Sequence, residues 1–155
     1  MHSCLMEISK ESTYGHSLPN NVMSPQPQHI VVFSVLEEKY CVAKLEPGSL
    51  IPAFPAGDGI FSVTKTSDEL SVVCEENLAP EGSEVERNWR ALKVQGPLEF
   101  SLKGVLSSML GPLAEAGVSV FAVSTYDTDY ILLPQYHLAK ALEVLELSGH
   151  RLTPG

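Results

Sequence analysis

Cysteine is scarce in this chain, and its few copies lack the spacing of a cross-linked or metal-binding framework. Cys4, Cys41 and Cys74 are the only cysteines in the 155 residues, and no C-x-x-C pair occurs. An odd number of cysteines at such spacings disfavours a disulfide scaffold and a structural zinc site. The five histidines show no H-E-x-x-H or other ligand spacing. The sequence therefore predicts reduced thiols and no metal site.

Basic residues and long apolar runs are also in short supply. The chain has 10 Lys and Arg against 19 Asp and Glu, which gives a formal net charge of -9. A surface for nucleic acid or an anionic membrane needs clustered cations to neutralise phosphate, so neither is predicted as a partner. No apolar run approaches the roughly 20 residues of a membrane helix, and no signal-like apolar stretch opens the chain. We predict a soluble, cytoplasmic protein.

Sequence motifs for catalysis are missing as well. There is no G-x-S-x-G elbow, no Walker-type phosphate loop and no G-x-G-x-x-G sequence. Cys41 and Cys74 lie in apolar runs, where a thiol usually behaves as a small hydrophobic group. Asp127 and Asp129 are neighbouring carboxylates, but no base, nucleophile or metal partner accompanies them. The sequence predicts a protein without enzymatic activity and without a cofactor.

The first half of the chain contains short strand-like segments behind a polar start. Residues 1–29 are rich in Ser, Asn, Pro and Gln, which predicts a disordered tail. Residues 30–36 are a β-branched run, and the strand-like pattern resumes at 40–45, which predicts a hairpin. Residues 49–54 leave room for about one helical turn before Pro55, so any helix here is stunted.

Two further strands and an acidic segment complete this half. Strands are predicted at 60–65 and 70–74, joined by a polar turn whose side chains can bond the local backbone. Residues 80–88 form a candidate linker. Five glutamates between 75 and 86 are typical of a solvated acidic loop.

The second half has a clearer pattern. A strand at 89–94 precedes a helix whose apolar stripe includes Met109 and Leu113, with Pro112 expected to kink or bound it and Gly117 to cap it. The remaining elements are strands at 118–124, 130–133 and 150–153 and a helix at 135–147. The order β-α-β-β-α-β predicts an α+β fold, with an antiparallel sheet covered by helices on one face, as in ferredoxin-like units.

A similarity between two segments of the chain suggests that the first half is a unit related to the second half. Residues 61–73 resemble residues 121–133, and aligning Phe61 with Phe121 places Glu69 on Asp129. We therefore predict two tandem ferredoxin-like units, the first at 30–88 and the second at 89–155.

The two halves together resemble a known family. The phrase at 111–120, followed by the phrase at 124–132, is similar to the helix, strand and hairpin of ACT domains. Within the aspartokinase-type ACT family, the chain is similar to the CASTOR-type arginine sensors over about residues 31–152. The resemblance implies a regulatory protein that binds an amino acid or a related small metabolite. Since such sensors contain two pairs of ACT units and this chain has one pair, it also implies a homodimer with ligand between units.

The resemblance also implies a ligand site. The loop residues that match are Thr125, Tyr126, Asp127, Thr128 and Asp129, and Ser119 and Val120 match the strand of the facing unit. A helix beginning near Gly104 offers N–H groups to a ligand carboxylate, and Asp129 can meet an ammonium group. Turn chemistry alone would also justify Asp and Thr in this loop, and Gly104 could serve only close packing.

One position departs from the arginine sensors. They carry an acidic residue where this chain has Leu102, so the partner of a guanidinium is missing there. Glu99 lies nearby and is a candidate substitute, but a smaller or apolar amino acid is equally admissible. The alternative function is a ligand-free dimerisation or docking scaffold, which would use an exposed strand edge or the acidic segment for a protein partner.

Overall fold

A computed structural model of the protein describes residues 29–98 and 103–154. Within these ranges it contains seven strands and two α-helices. The strands are β1 (Val32–Leu45), β2 (Ser62–Lys65), β3 (Leu70–Glu75), β4 (Glu84–Val94), β5 (Phe121–Ser124), β6 (Asp129–Pro134) and β7 (Arg151–Leu152), and the helices are α1 (Val105–Glu115) and α2 (Leu138–Leu147). The predicted tail at 1–29, apart from His29, lies outside the described residues, as do Glu99 and Leu102.

All seven described strands join one sheet. Its order is β2-β3-β1-β4-β6-β5, with antiparallel neighbours throughout, and β7 adds a parallel pair with the start of β1. The α+β prediction is confirmed. Between β1 and β2 the described residues form no helix, so even the stunted helix considered for the first half is missing. None of the described helices is long and apolar enough to cross a membrane.

The predicted hairpin at 30–36 and 40–45 is wrong, because both segments belong to the single 14-residue strand β1. The residues expected to turn, 37–39, contain no Gly, Asn or Pro to favour a tight turn. The pairing with β4 instead shifts register between Val35 and Lys39. Arg90 donates from Nη2 to the Leu36 carbonyl at 2.8 Å, which satisfies an acceptor at this irregularity.

The linker predicted at 80–88 is also wrong beyond residue 83. Strand β4 begins at Glu84, which pairs with Lys44, and Val85 pairs with Ala43. The division between residues 88 and 89 therefore falls inside a strand. Since β1 lies between β3 and β4 and also pairs with β7, strands of both predicted units share one continuous sheet. The division into units at 30–88 and 89–155 stays a prediction.

The two related hairpins match with a shift of one residue from the sequence alignment. Lys65 pairs with Leu70 across four turn residues, and Ser124 pairs with Asp129 across another four. Asp129 therefore corresponds to Leu70 rather than to Glu69. Strand side chains alternate between the two faces of a sheet. Two residues that the sequence alignment matched therefore point to opposite faces in their own hairpins.

The two faces of the sheet have different coverings. On one face, strand residues including Phe33, Leu92 and Ile131 pack against Met109 of α1 and Leu145 of α2. The opposite face carries a second cluster of Tyr40, Val73, Ala91 and Leu132, with no helix residue of the described chain in it. Helices therefore cover one face, as predicted, and the other face is available for a site.

Both helices end in the same way. Gly117 has φ 71°, its N–H bonds Ala114 O at 2.9 Å, and the next N–H, from Val118, bonds Leu113 O at 2.9 Å. Gly149 repeats this arrangement after α2 with φ 89°. A left-handed residue at this position favours glycine, so the predicted cap at Gly117 is confirmed. Pro112 lies inside α1 and does not end the helix.

Candidate functional site

The predicted ligand loop is the turn between β5 and β6, and it is held by its own side chains. The backbone N–H of Thr125 donates to Thr128 O at 2.8 Å, and the Thr125 hydroxyl donates to the same oxygen at 3.0 Å. The Thr125 hydroxyl oxygen also accepts the Thr128 N–H at 3.3 Å. The Thr125 side chain therefore stabilises the turn through hydrogen bonds to the local backbone, as turn chemistry predicts.

The turn is also anchored to the end of β4. Thr128 is buried and its hydroxyl donates to Val94 O. The Leu98 N–H donates to Asp127 O at 2.8 Å. A Cβ placed on Gly96 would lie 2.7 Å from Asp127 O, so glycine permits this close approach. The position of the turn is thus set by β4 and the residues directly after it.

The polar side chains in and beside the turn differ in how far they are exposed to solvent. Tyr126 is 79% exposed and the Asp127 side chain is exposed as well. Asp129, the first residue of β6, accepts a hydrogen bond on Oδ1 from the Ser124 hydroxyl at 2.5 Å. This bond holds the Asp129 carboxylate beside Ser124, where the strands on either side of the turn pair.

The other predicted ligand residues lie elsewhere. Gly104 precedes α1 with φ 84°, which explains the glycine, and its carbonyl accepts from Ser107 Oγ at 3.1 Å. Ser119 is exposed, whereas Val120 packs against the helix-covered core. Both precede β5, so the strand predicted at 118–124 is shorter than expected. Glu99 lies outside the described residues.

A cleft of about 390 Å³ lies on the sheet face without helices, beside this turn. One wall comes from the chain leading into β2, and the other comes from β5 and β6. Its lining consists of Leu36, Asp58, Gly59, Ile60, Phe61, Ser62, Val63, Lys93, Val123, Ser124, Thr125 and Tyr130. Of the residues predicted from the sequence, Thr125 alone contributes to this lining.

The first wall of the cleft is tied to the sheet beneath it. The Ile60 N–H donates to the Tyr40 hydroxyl at 3.4 Å, and Ile60 packs on the cluster that contains Tyr40. The Glu75 carboxylate fills the space that a side chain on Gly59 would need. Burial raises the pKa of Tyr40 to about 12, with Glu38 and Glu75 adding to the shift. Tyr40 is therefore neutral at physiological pH and offers its oxygen as an acceptor.

The cleft combines opposite charges with apolar surface. Among its described lining residues, Lys93 is the one cation and Asp58 the one carboxylate. The Lys93 ammonium lies 6.0 Å from the centroid of the Tyr130 ring. Sequence reasoning missed both charges, although a lysine alternating with the apolar residues of β4 was a visible signal. Asp58 gave no signal, since only folding brings it near Lys93.

Comparison with known proteins gives two family models that match different parts of the chain. A family model for the ACT domain matches residues 84–146, and a model for an N-terminal domain matches residues 38–82. The chain is 26% identical over 136 residues to the human protein named cytosolic arginine sensor for mTORC1 subunit 1, covering 86% of this chain and 35% of that protein. The chain thus spans about a third of the length of this relative.

Solved structures show similarity over more of their own length. A crystal structure of an Agobacterium tumefaciens protein is 35% identical with a TM-score of 0.75, covering 82% of this chain and 95% of that one. The regulatory subunit of aspartate kinase from Thermus thermophilus is 13% identical with a TM-score of 0.52, covering 75% and 95%. The second similarity concerns the fold alone.

Proposed function

Because this chain belongs to the ACT-domain proteins and is similar to the CASTOR-type arginine sensors, we propose that it is a non-enzymatic regulatory protein that binds an amino acid. The observation that carries the proposal is the β5–β6 turn. Its backbone is closed by Thr125 and anchored by Thr128, while Tyr126 and Asp127 remain exposed. A rigid turn with exposed polar groups can bind a small zwitterion without first being ordered.

We further propose two tandem ACT units and a homodimer, with ligand between the turn of one copy and residues 119–120 of the other. Strand β5 supports this arrangement, because it ends the sheet and has no outer strand among the described residues. A ligand would regulate by binding one arrangement of the dimer more tightly than another. Sedimentation of the full chain at micromolar concentration should show a dimer, and a monomer alone would refute this part.

Thermal melting against the twenty amino acids tests the proposed function. A ligand that binds the folded state raises its stability with the logarithm of concentration. We expect a rise for one or a few amino acids that is lost in Asp129→Ala. The matched control is Asp68→Ala, which removes a carboxylate from the corresponding turn between β2 and β3, where Asp68 Oδ1 accepts from Ser67 at 3.3 Å. Equal responses in wild type and Asp129→Ala would refute the assigned site.

A docking scaffold is the second candidate, and an exposed apolar segment favours it. Leu50 is 92% exposed and Phe54 80%, with Ile51 between them at 55%. Exposed apolar side chains this close together are typical of protein contact surfaces. A flat melting response to every amino acid, combined with dimerisation, would favour this candidate over the sensor.

A further inference from the structure

We infer that the cleft between residues 58–63 and strands β5 and β6 is a second small-molecule site, whose ligand class is an α-amino acid with an uncharged, apolar side chain. The site goes beyond the proposed function, because its lining is drawn from residues 36, 58–63, 93, 123–125 and 130 and does not include residues 119–120, which the turn site takes from a second copy. It shares Thr125 with the turn site and is otherwise built from different residues.

The charges of the lining fit the two ends of a zwitterion. Lys93 supplies an ammonium group for a carboxylate. The hydroxyls of Ser124 and Thr125 already donate their protons within the turn, so the carboxylate depends on Lys93 among the described lining residues. Asp58, on the opposite wall, supplies a carboxylate for an ammonium group. One positive and one negative side chain suit a ligand whose own charges cancel.

The rest of the lining favours an apolar side chain on that ligand. Leu36, Ile60 and Val123 present hydrocarbon surface, and each also packs on the cluster beneath the cleft. Among the lining residues the structure describes, no second carboxylate remains for a guanidinium once Asp58 has met the ligand ammonium. Burying an unpaired cation is costly, so arginine should bind less well than leucine or phenylalanine.

The cleft is built before any ligand arrives. The hydrogen bond from Ile60 to Tyr40 and the contact of Gly59 with Glu75 fix one wall, and the paired strands β5 and β6 fix the other. Its volume of about 390 Å³ lies at the lower end of the range of known ligand pockets. Ligand binding therefore requires little ordering of the protein.

Titration of the ¹⁵N-labelled full chain with L-leucine tests the inference. We expect amide shifts at Gly59, Ile60 and Ser124. Two analogues, 4-methylpentanoate without the ammonium group and 3-methylbutylamine without the carboxylate, should bind at least roughly tenfold more weakly, since each loses a charged hydrogen bond. Leucine that binds no better than either analogue, or that shifts none of these amides, would overturn the inference.

Variants separate this site from the turn. Lys93→Met and Asp58→Asn should each weaken leucine binding by roughly tenfold or more. The matched controls Lys65→Met and Asp68→Asn change the same residue types outside the cleft and should keep wild-type affinity. Asp58 lies on an exposed loop, so its variant is informative even if Lys93→Met unfolds, which circular dichroism would show. Loss of leucine binding in Asp129→Ala, with Lys93→Met and Asp58→Asn unaffected, would assign binding to the turn and refute the cleft.

Discussion

His150 supplies the hydrogen bond that Pro112 withholds from helix α1. Proline has no N–H, so the carbonyl of Ser108, four residues earlier, has no helical donor at position 112. The Nε2 atom of His150 lies 3.0 Å from that oxygen, and its Nδ1 accepts the Val31 N–H at 3.2 Å. Acting as donor on one nitrogen and acceptor on the other, the ring is a neutral imidazole with its proton on Nε2.

A double-mutant cycle tests this relationship. His150→Leu should lower the free energy of unfolding by about 2 to 4 kcal/mol, because it leaves buried backbone groups of Ser108 and Val31 without partners. With Pro112→Ala, a new N–H can bond Ser108, so the cost of His150→Leu should fall by about 1 kcal/mol. Urea unfolding measures both costs. His137→Leu is the control and should cost the same in either background; equal costs for His150→Leu would contradict the assignment.

Tyr40 should make stability fall at high pH. Its pKa in the folded protein is raised to about 12, against an ordinary value of 10.0. Below pH 10 its contribution to stability is fully present, and it is lost as pH rises toward 12, because the unfolded chain releases the proton first. The loss should be at most about 3 kcal/mol. Urea unfolding from pH 9 to 12 should show a smaller decline in Tyr40→Phe than in wild type, and parallel curves would contradict this prediction.

Cys41 and Cys74 should be unreactive in the folded protein. They face each other across β1 and β3 with their sulfur atoms 3.6 Å apart, and both are fully buried. The hydrogen bond with Cys41, together with burial, raises the pKa of the Cys74 thiol. In a Cys4→Ser variant, a thiol-reactive dye should label these two at least roughly a hundredfold more slowly in buffer than in denaturing urea. Similar rates would show that this part of the sheet opens readily.

Gly96→Ala should disturb the turn that carries the proposed ligand residues. The added Cβ would meet Asp127 O at 2.7 Å and the Thr128 Cβ at 3.2 Å. We expect a loss of about 1 to 3 kcal/mol in unfolding free energy and weaker binding of any amino acid found by melting. Gly111→Ala is the control, since a Cβ there meets no atom within 4 Å. Equal unfolding free energies for the two variants would show that the close approach at Gly96 does not affect stability.

Local patterns predicted the second half of the fold well. The apolar stripe with Met109 and Leu113, the cap at Gly117 and the hairpin around residues 125–128 are properties of consecutive residues, and the structure has all of them. The polar turn was likewise recognised from its own chemistry. These features depend on spacing and backbone preference, which the sequence states directly.

Long-range pairing was harder to predict. The segment 37–39 looked like a hairpin turn because it is polar, yet β1 continues through it, and β1 pairs with β4 on both sides of a register shift there. The one-residue shift between the two hairpins was also invisible, since residue similarity does not reveal which pairs share hydrogen bonds.

The sequence by itself determined the family, the α+β class, the C-terminal ends of both helices and the turn that precedes Asp129. The tertiary structure alone decided that the strands of both halves join in one sheet and that Asp58 and Lys93 line one cleft. It also decided that His150 bonds the Ser108 carbonyl, which has no helical donor because residue 112 is proline. The physical reason is that capping and periodicity act between near neighbours, whereas the β1–β3 pairing and the hydrogen bonds of His150 join residues 25 or more positions apart.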